Sequence, residues 1–230
     1  MRLRFRKSEL EKKIGYRFRD QSLLERAMIH PSYRAEHQDV DADNQRLEYL
    51  GDAVLGLLTA TTLFRQFVKE PEGVLTSLRS QLTNGKTLAE MAQTLGLGAE
   101  LKLGHGETES GGHRRPGAMA DALEAVIGAV YLDGGMRAAE GLFKRLFGGR
   151  VETLSADAWA GNPKGQLQEY TQRVWKQSPD YRLVGRAGPA HAPSFTVQVE
   201  LPDGRVAEGR ASSRRLAEIH AAASMLQQIL

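Results

Sequence analysis

Two apolar segments of the chain each carry a pair of acidic residues at helical spacing. The segments are NQRLEYLGDAVLG (Asn44–Gly56) and ADALEAVIGAVYLD (Ala120–Asp133). Glu48 and Asp52 stand four residues apart, so they share one helix face. Asp121 and Glu124 stand three apart and also share a face. Helices this apolar belong in a core, where carboxylates are almost never fully buried unless they are paired or bind a metal. The sequence therefore predicts a helical fold whose core contains acidic side chains.

Two interpretations of these four carboxylates are open. In the first, they are solvent-facing acids on amphipathic helices. In the second, the two helices pack together and the four carboxylates bind divalent cations. Oxygen ligands favour Mg²⁺ or Mn²⁺ over zinc. A site of this kind hydrolyses phosphoryl esters, because the metal lowers the pKa of a bound water and stabilises the leaving oxygen.

Other catalytic motifs are excluded. The chain has no cysteine, which rules out a thiolate nucleophile and any Cys-ligated metal site. The six histidines form no HExxH pair, and no GxSxG motif is present. SQLTNGKT (Ser80–Thr87) ends like a phosphate-binding loop, but it has Ser80 where the first glycine is required and no strand before it. We expect His30, among apolar helical residues, to have a structural hydrogen-bonding role.

The chain changes character near residue 154. Residues 7 to about 150 show apolar positions at helical spacing, interrupted by Gly and Pro, and the glycine-rich Gly104–Gly117 is expected to be a loop. We predict a helical domain over 1–153 and a linker over 154–161. The last predicted domain, 162–230, has the order helix, three antiparallel strands, helix. Its predicted elements are Gly165–Lys176, Tyr181–Arg186, Ser194–Leu201, Arg205–Ala211 and a helix from about Ser213.

The positive charge of the protein lies in this last domain. Nine of the 31 basic residues and six of the 28 acidic residues lie from Pro163 onward, which accounts for the whole net charge of +3. This asymmetry points to a module that binds a polyanion.

The N-terminus, MRLRFRKSELEKK, has no apolar stretch of the signal-peptide type. The most apolar run, Ala53–Phe64, is well short of the roughly 20 residues that a spanning helix needs. We expect a cytoplasmic protein that has no membrane partner.

Several motifs then occur in a recognisable order. They are HPS (His30–Ser32), Asn44–Gly56, Glu72–Gly73 ahead of Leu78–Arg79, LGHGETESGGHRR (Leu103–Arg115) and Ala120–Asp133. This series resembles bacterial ribonuclease III over essentially the whole chain. The resemblance implies an all-α endonuclease domain that forms a homodimer, binds double-stranded RNA and cuts each strand with a Mg²⁺-carboxylate cluster. It implies products with 5′-phosphate and 3′-hydroxyl ends and a two-nucleotide 3′ overhang, as in processing of rRNA and other structured transcripts. The implied metal ligands are Glu48, Asp52, Asp121 and Glu124, with Asp52 and Glu124 catalytic, and Mn²⁺ is the expected substitute metal.

The C-terminal segments LQEY (Leu167–Tyr170), GPAHAPSF (Gly188–Phe195) and SSRRLAEIHAA (Ser212–Ala222) resemble a double-stranded RNA-binding domain of α+β (α-β-β-β-α) type. Such modules span about 16 base pairs and recognise the shape of A-form RNA. The positive end of a helix favours phosphate, and two arginines there add to it. The candidate RNA-binding residues are Gln168, Glu169, His191, Arg214 and Arg215.

The chain departs from the family pattern at one position. Gln45 stands where the family usually has Glu, so a charge is lost while size and hydrogen bonding are kept. We expect cleavage to survive. The change affects any role of Gln45 at the dimer interface or in cleavage-site selection, where Glu72 is the other family acid. Two alternatives are a catalytically silent regulator that binds double-stranded RNA and a helical Mg²⁺ phosphohydrolase acting on nucleotides.

Overall fold

The computed structural model describes residues 9–155, 162–189 and 192–229. The chain divides into two compact units. The first contains the described residues up to Val68 together with Arg79–Leu154, and the second contains Lys69–Leu78 and the described residues from Ser155 onward. Most of the predicted linker 154–161 and His191 lie outside the described residues, and the predicted domain boundaries stay predictions.

The first unit is helical, as predicted. The helices numbered along the chain are α1 (Glu9–Ile14), α2 (Gln21–Ala27), α3 (Pro31–Glu36), α4 (Gln45–Gln66), α5 (Glu72–Thr83), α6 (Gly85–Leu95), α7 (Leu97–Glu100), α8 (His105–Glu109) and α9 (Pro116–Glu152). The helix α5 crosses the division between the units. The long α9 is broken at Gly135, which has φ 71° and ψ −172°. Gly85 opens α6 behind the cap residue Asn84, so SQLTNGKT forms no phosphate-binding loop.

The prediction of a loop over Gly104–Gly117 was wrong in part. The stretch contains α8 and a 3₁₀ turn at Gly112–Arg114. A Cβ on Gly112 would lie 2.7 Å from the carbonyl oxygen of Glu107, so this glycine permits close packing of the 3₁₀ turn on α8. Glycine is used here for close approach as well as for turns.

The helices α4 and α9 pack against each other in the core of the first unit. A Cβ on Gly51 would lie 1.7 Å from the carbonyl oxygen of Glu124, and one on Gly128 would lie 2.2 Å from that of Leu47. The two backbones therefore approach to a distance that only glycine allows. This crossing places the two acid-bearing segments side by side.

By length and composition α4 could also cross a membrane, since its most apolar window has a mean hydropathy of 1.2. One face of α4, including Leu55 and Leu63, is buried, and the helix packs along α9. This face of α4 therefore belongs to the core of the first unit. The absence of a membrane partner stays a prediction.

The second unit has the predicted order of elements. It contains α10 (Pro163–Trp175), the antiparallel strands β1 (Asp180–Ala187), β2 (Ser194–Glu200) and β3 (Val206–Ala211), and α11 (Arg214–Ile229). The strands pair in the order β1-β2-β3. A core formed by α10, the sheet and α11 includes Leu167, Val199, Ala207 and Met225. A Cβ on Gly209 would lie 2.1 Å from the backbone nitrogen of Ala221, so β3 and α11 also meet at a glycine.

Candidate functional site

Folding brings together acids from both predicted pairs. Glu48 on α4 and Asp121 and Glu124 on α9 each offer one carboxylate oxygen, and these oxygens lie within 4.8 Å of one another. All three side chains are partly buried. The convergence of the two helices that the second interpretation requires is therefore observed for these three residues, and the binding of a cation there stays a prediction.

Asp52 lies one turn after Glu48 on α4, is exposed, and is outside the set of three oxygens. Its charge nevertheless reaches the cluster. Burial, followed by repulsion from Asp52 and then from Glu48 and Asp121, raises the pKa of Glu124 from 4.5 to about 7. Asp52 thus lies at the rim of the cluster formed by the other three.

The other two carboxylates have a similar environment. Burial raises the pKa of Glu48, and repulsion from Asp121, Asp52 and Asp43 raises it further. Burial also raises the pKa of Asp121, while the charge of His30 opposes this rise. Each acid is thus harder to ionise than an isolated carboxylate, first because it is partly buried and, for Glu48 and Glu124, also because neighbouring acids carry the same charge.

The chemistry of this donor set fits a hard divalent cation. Carboxylate oxygens are the ligands that Mg²⁺ and Mn²⁺ prefer, and a bound cation removes the repulsion between them. Among the described residues, this is the one group of three or more His, Asp or Glu side chains close enough to share an ion.

Two residues near the cluster were absent from the predicted site. His30 is the N-cap of α3, and its ring accepts a hydrogen bond from Ser32 N, which confirms the predicted structural role. Asp43 is buried and accepts from Gln45 N and from the Arg34 side chain. Their sequence signals are the HPS motif and an acid directly before Asn44, but neither signal shows contact with the carboxylates.

Gln45 and Glu72 both open helices. Gln45 is the first residue of α4 and is exposed, and with Tyr49 and Leu132 it lines a cavity of about 670 Å³. Glu72 is the first residue of α5, is exposed, and accepts a hydrogen bond of 2.7 Å from the Thr76 hydroxyl.

The second unit exposes four of the five predicted RNA-binding residues. Gln168 and Glu169 are exposed on α10, and Arg214 and Arg215 are exposed in the first turn of α11. The fifth, His191, lies outside the described residues.

Sequence reasoning missed an ion-pair network between α10 and α11. Lys164 contacts Glu218 at 2.6 Å, and Arg214 contacts the same carboxylate at 3.1 Å. These contacts lower the pKa of Glu218, with the hydrogen bond from Lys164 as the largest cause. Lys164 also lies 4.7 Å from the centre of the Tyr181 ring. Arg214 is thus already paired with Glu218 in the protein without RNA.

A helical unit with a carboxylate cluster, in one chain with an α-β-β-β-α unit that exposes two arginines at a helix start, defines a nuclease acting on double-stranded RNA. The profile of a family described as Ribonuclease-III-like matches residues 20–149, and that of the Double-stranded RNA binding motif matches residues 163–229. The chain belongs to the ribonuclease III family and is a double-stranded RNA endoribonuclease.

Relatives and solved structures agree with this assignment. The chain is 44% identical to Ribonuclease 3 of Ruegeria pomeroyi over 229 residues, which cover 100% of both chains. It is 44% identical to Ribonuclease 3 of Nitratidesulfovibrio vulgaris over 215 residues, covering 94% of this chain and 85% of that protein. The crystal structure of the nuclease domain of ribonuclease III from Campylobacter jejuni is 37% identical, with a TM-score of 0.58, and covers 64% of this chain and 97% of that one.

Proposed function

We propose that this endoribonuclease uses Mg²⁺ to hydrolyse double-stranded RNA, leaving 5′-phosphate and 3′-hydroxyl ends with a short 3′ overhang. The observation that carries the proposal is the cluster of Glu48, Asp121 and Glu124. The presence of all four acids that the family pattern requires disfavours a catalytically silent RNA-binding regulator. We further propose that rRNA and other structured transcripts are substrates and that the protein acts in the cytoplasm.

Each carboxylate has a distinct part in this proposal. Glu48, Asp121 and Glu124 would hold the divalent cation, and Asp52 would complete the ligand set from the rim. A bound cation supplies a water of lowered pKa and stabilises the charge on the leaving oxygen. Glu124, whose pKa lies at about 7, releases its proton near neutral pH and so gains its ligand charge there. Asp52 and Glu124 are the proposed catalytic residues.

We also propose that the protein is a homodimer that assembles through α4. An apolar stripe of exposed side chains follows one face of this helix at spacings of four, four, three and four residues. The α4 stripe consists of Tyr49, Ala53, Leu57, Ala60 and Phe64. Tyr49 is 81% exposed and Phe64 is 71% exposed, which is unusual for aromatic side chains in line on one helix. One solved nuclease domain of the Campylobacter jejuni protein is described with a region involved in dimer formation.

A duplex-cleavage assay tests the proposed reaction. A long perfect RNA duplex is incubated with the protein in Mg²⁺, in Mn²⁺ and in EDTA, and both ends of each product are mapped. The expected result is cleavage with either metal and none in EDTA, with 5′-phosphate termini and recessed 5′ ends. Cleavage in EDTA, or products with 5′-hydroxyl ends, would contradict the proposal.

The dimer is tested separately by light scattering after size-exclusion chromatography. Leu57→Glu places a charge at the centre of the α4 stripe and is expected to give a monomer. Glu100→Gln, an exposed change elsewhere in the first unit, is the control and is expected to remain dimeric. A wild-type chain that elutes as a monomer would overturn the proposed assembly.

A further inference from the structure

The carboxylate of Glu218 binds one cation with each of its two oxygens. Lys164 Nζ donates to Oε2 at 2.6 Å, and Arg214 Nε donates to Oε1 at 3.1 Å. The side chain of Glu218 is 16% exposed, whereas that of Arg214 is 60% exposed. The acid therefore lies mostly beneath the surface of the second unit, and the arginine that it binds lies mostly in solvent.

Lys164 fixes the position of this carboxylate. Its ammonium group lies 4.7 Å from the centre of the Tyr181 ring, which is within the range of a cation–π interaction. Tyr181 is on β1 and packs against the apolar core of the unit. The carboxylate of Glu218 is thus tied to α10 and, through Lys164, to the sheet. Its second oxygen, Oε1, is thereby held in place for Arg214.

The contact with Glu218 uses only one edge of the Arg214 guanidinium. The Nε–H group donates to the acid, and among the described residues neither Nη1 nor Nη2 of Arg214 has a hydrogen-bonding partner. A guanidinium carries five N–H groups in a fixed planar fork, and two parallel N–H groups match a phosphate. With Nε bound to Glu218, the four remaining N–H groups of Arg214 are available to a phosphate.

Arg215 has the same charge at the same end of α11 but lacks this contact. It is exposed, and its side chain has no ion pair or hydrogen bond within the part of the chain that the structure describes. An arginine that is not held in place loses rotamer freedom when it binds a phosphate, and this loss weakens binding. Arg214 has already lost part of this freedom in the folded protein, because Glu218 holds its Nε.

We propose that Glu218 is a positioning residue for RNA binding, which holds Arg214 so that its guanidinium meets a phosphate of the duplex in a preorganised orientation. Glu218 acts through Arg214 and does not contact the RNA. Without an arginine to hold, this acid would only repel phosphate. The inference rests on the proposed function for its ligand, double-stranded RNA, but not for the metal-dependent reaction.

A double-mutant cycle separates positioning from repulsion. Glu218→Met removes both carboxylate oxygens and keeps a long side chain that favours a helix. It is made in three backgrounds, which are the wild type, Arg214→Ala and Arg215→Ala. The affinity of the full chain for a perfect RNA duplex is measured by fluorescence anisotropy at moderate salt. Ca²⁺ replaces Mg²⁺ in this titration, so that binding is measured apart from cleavage.

The expected effect of Glu218→Met depends on Arg214. In the wild type and in Arg215→Ala it should weaken duplex binding about 2- to 10-fold, the effect of one long side chain that loses its preorganisation. In Arg214→Ala it should leave the affinity unchanged or raise it, because the acid there only repels phosphate. Glu218→Gln keeps one acceptor oxygen, so it should weaken binding less, with the same dependence on Arg214. It provides the measurement if Glu218→Met does not fold.

An equal effect of Glu218→Met in all three backgrounds overturns the inference. Equal weakening would mean that Glu218 only supports the structure of the unit, and equal strengthening would mean that it only repels phosphate. If Arg214→Ala binds the duplex as tightly as the wild type, the inference fails together with the predicted phosphate contact, and the proposed cleavage reaction stands. If the expected binding pattern is found but no duplex is cleaved in Mg²⁺, the proposed reaction fails and the inference stands.

Discussion

In both units of this protein a glycine allows two backbones to pack closely, but the two units differ in whether charged side chains lie beside like or opposite charges. In each, a glycine lets two backbones meet, α4 with α9 at Gly51 and β3 with α11 at Gly209. In the first unit this contact brings like charges together in a partly buried cluster. In the second, the acid Glu218 is paired with Lys164 and Arg214, and the sheet and helices enclose an apolar core.

This difference separates a site for chemistry from a surface for binding. Carboxylates that repel one another raise the free energy of the folded protein, and this is offset when one of them is protonated or when a cation binds between them. Exposed arginines at a solvated surface cost little folding free energy. They strengthen RNA binding according to the number of phosphates that they contact. The first unit should therefore respond to metal and pH, and the second to salt.

The largest effect is expected from removing a single charge in the first unit. Glu124→Gln and Asp52→Asn should each reduce the cleavage rate of a duplex about a thousandfold or more, because loss of a metal ligand removes several kcal/mol of transition-state stabilisation. Single-turnover cleavage in Mg²⁺ measures this. Binding of the same duplex in Ca²⁺ should stay close to wild type.

Glu100→Gln is the matched control for charge, since it removes an exposed acid of the same unit outside the cluster. It is expected to leave the cleavage rate unchanged. Equal loss of binding and cleavage in the Glu124 or Asp52 variants would mean that these acids are structural, and the contrast between the units would disappear.

The next largest effect is expected on stability, from a substitution at the glycine where α4 packs against α9. Gly51→Ala would place a methyl group against the carbonyl oxygen of Glu124, which must separate α4 from α9. We expect the free energy of unfolding to fall by about 1–3 kcal/mol or more. Gly56→Ala, on the same helix with open space around it, is the control and should raise stability by about 0.5–1 kcal/mol. Urea unfolding measures both.

Gly209→Ala tests a close glycine contact of the same kind in the second unit. It should lower the stability of that unit and weaken duplex binding, but Mn²⁺ affinity should be unchanged because the cluster lies in the first unit. Loss of Mn²⁺ binding in this variant would show that the two units do not hold their functions separately.

The sequence predicted the elements well where a periodic pattern and the local chemistry agreed. The three strands and both helices of the second unit lie within a few residues of their predicted positions. The loop predicted at Gly104–Gly117 was partly wrong, because glycine was interpreted as a turn residue where Gly112 instead permits close packing. Local sequence does not show what a glycine will meet after folding.

The same limit applies to the site. Spacing alone placed each acid pair on one helix face, but only tertiary packing decides that Glu48 joins Asp121 and Glu124 while Asp52 stands at the rim. The charge of His30, which is distant in sequence, lowers the pKa of Asp121, and no periodicity of the sequence predicts this effect.

A smaller effect is expected from two cations of the second unit. Arg214→Ala with Arg215→Ala should weaken duplex binding most at moderate salt and reduce the slope of log K against log salt by about 2, one unit for each lost phosphate contact. Binding titrations across a salt series measure the slope. The matched control is Arg182→Ala with Arg205→Ala, which removes the same charge from arginines of this unit that lie outside the start of α11 and are paired with Asp180 and Asp203, as Arg214 is with Glu218. Equal slopes in the two double variants would remove Arg214 and Arg215 from the phosphate contacts.

The smallest effect is a pH dependence of stability in the first unit. The pKa of Glu124 is raised from 4.5 to about 7 in the folded protein, so between these values the folded state binds more protons than the unfolded state. Stability must then fall as pH rises through this window and level off above it. Glu124→Gln has no carboxyl group at this position and should not show this fall in stability. In EDTA its melting temperature should equal that of the wild type near pH 4.5 and exceed it by a growing margin up to about pH 7.

Mg²⁺ sharpens this last test, because a cation that binds only the folded cluster stabilises it by mass action. At pH 8, Mg²⁺ should raise the melting temperature of the wild type and close the gap to Glu124→Gln, whose own melting temperature should move less. The second unit provides the internal reference, since its acid Glu218 has a lowered pKa and its contribution to stability is already complete above about pH 4.5, where the change at Glu124 begins. If the melting temperatures of the wild type and of Glu124→Gln depend on pH in parallel in EDTA, Glu124 is not held among like charges. The contrast between like charges in the first unit and paired charges in the second is then wrong.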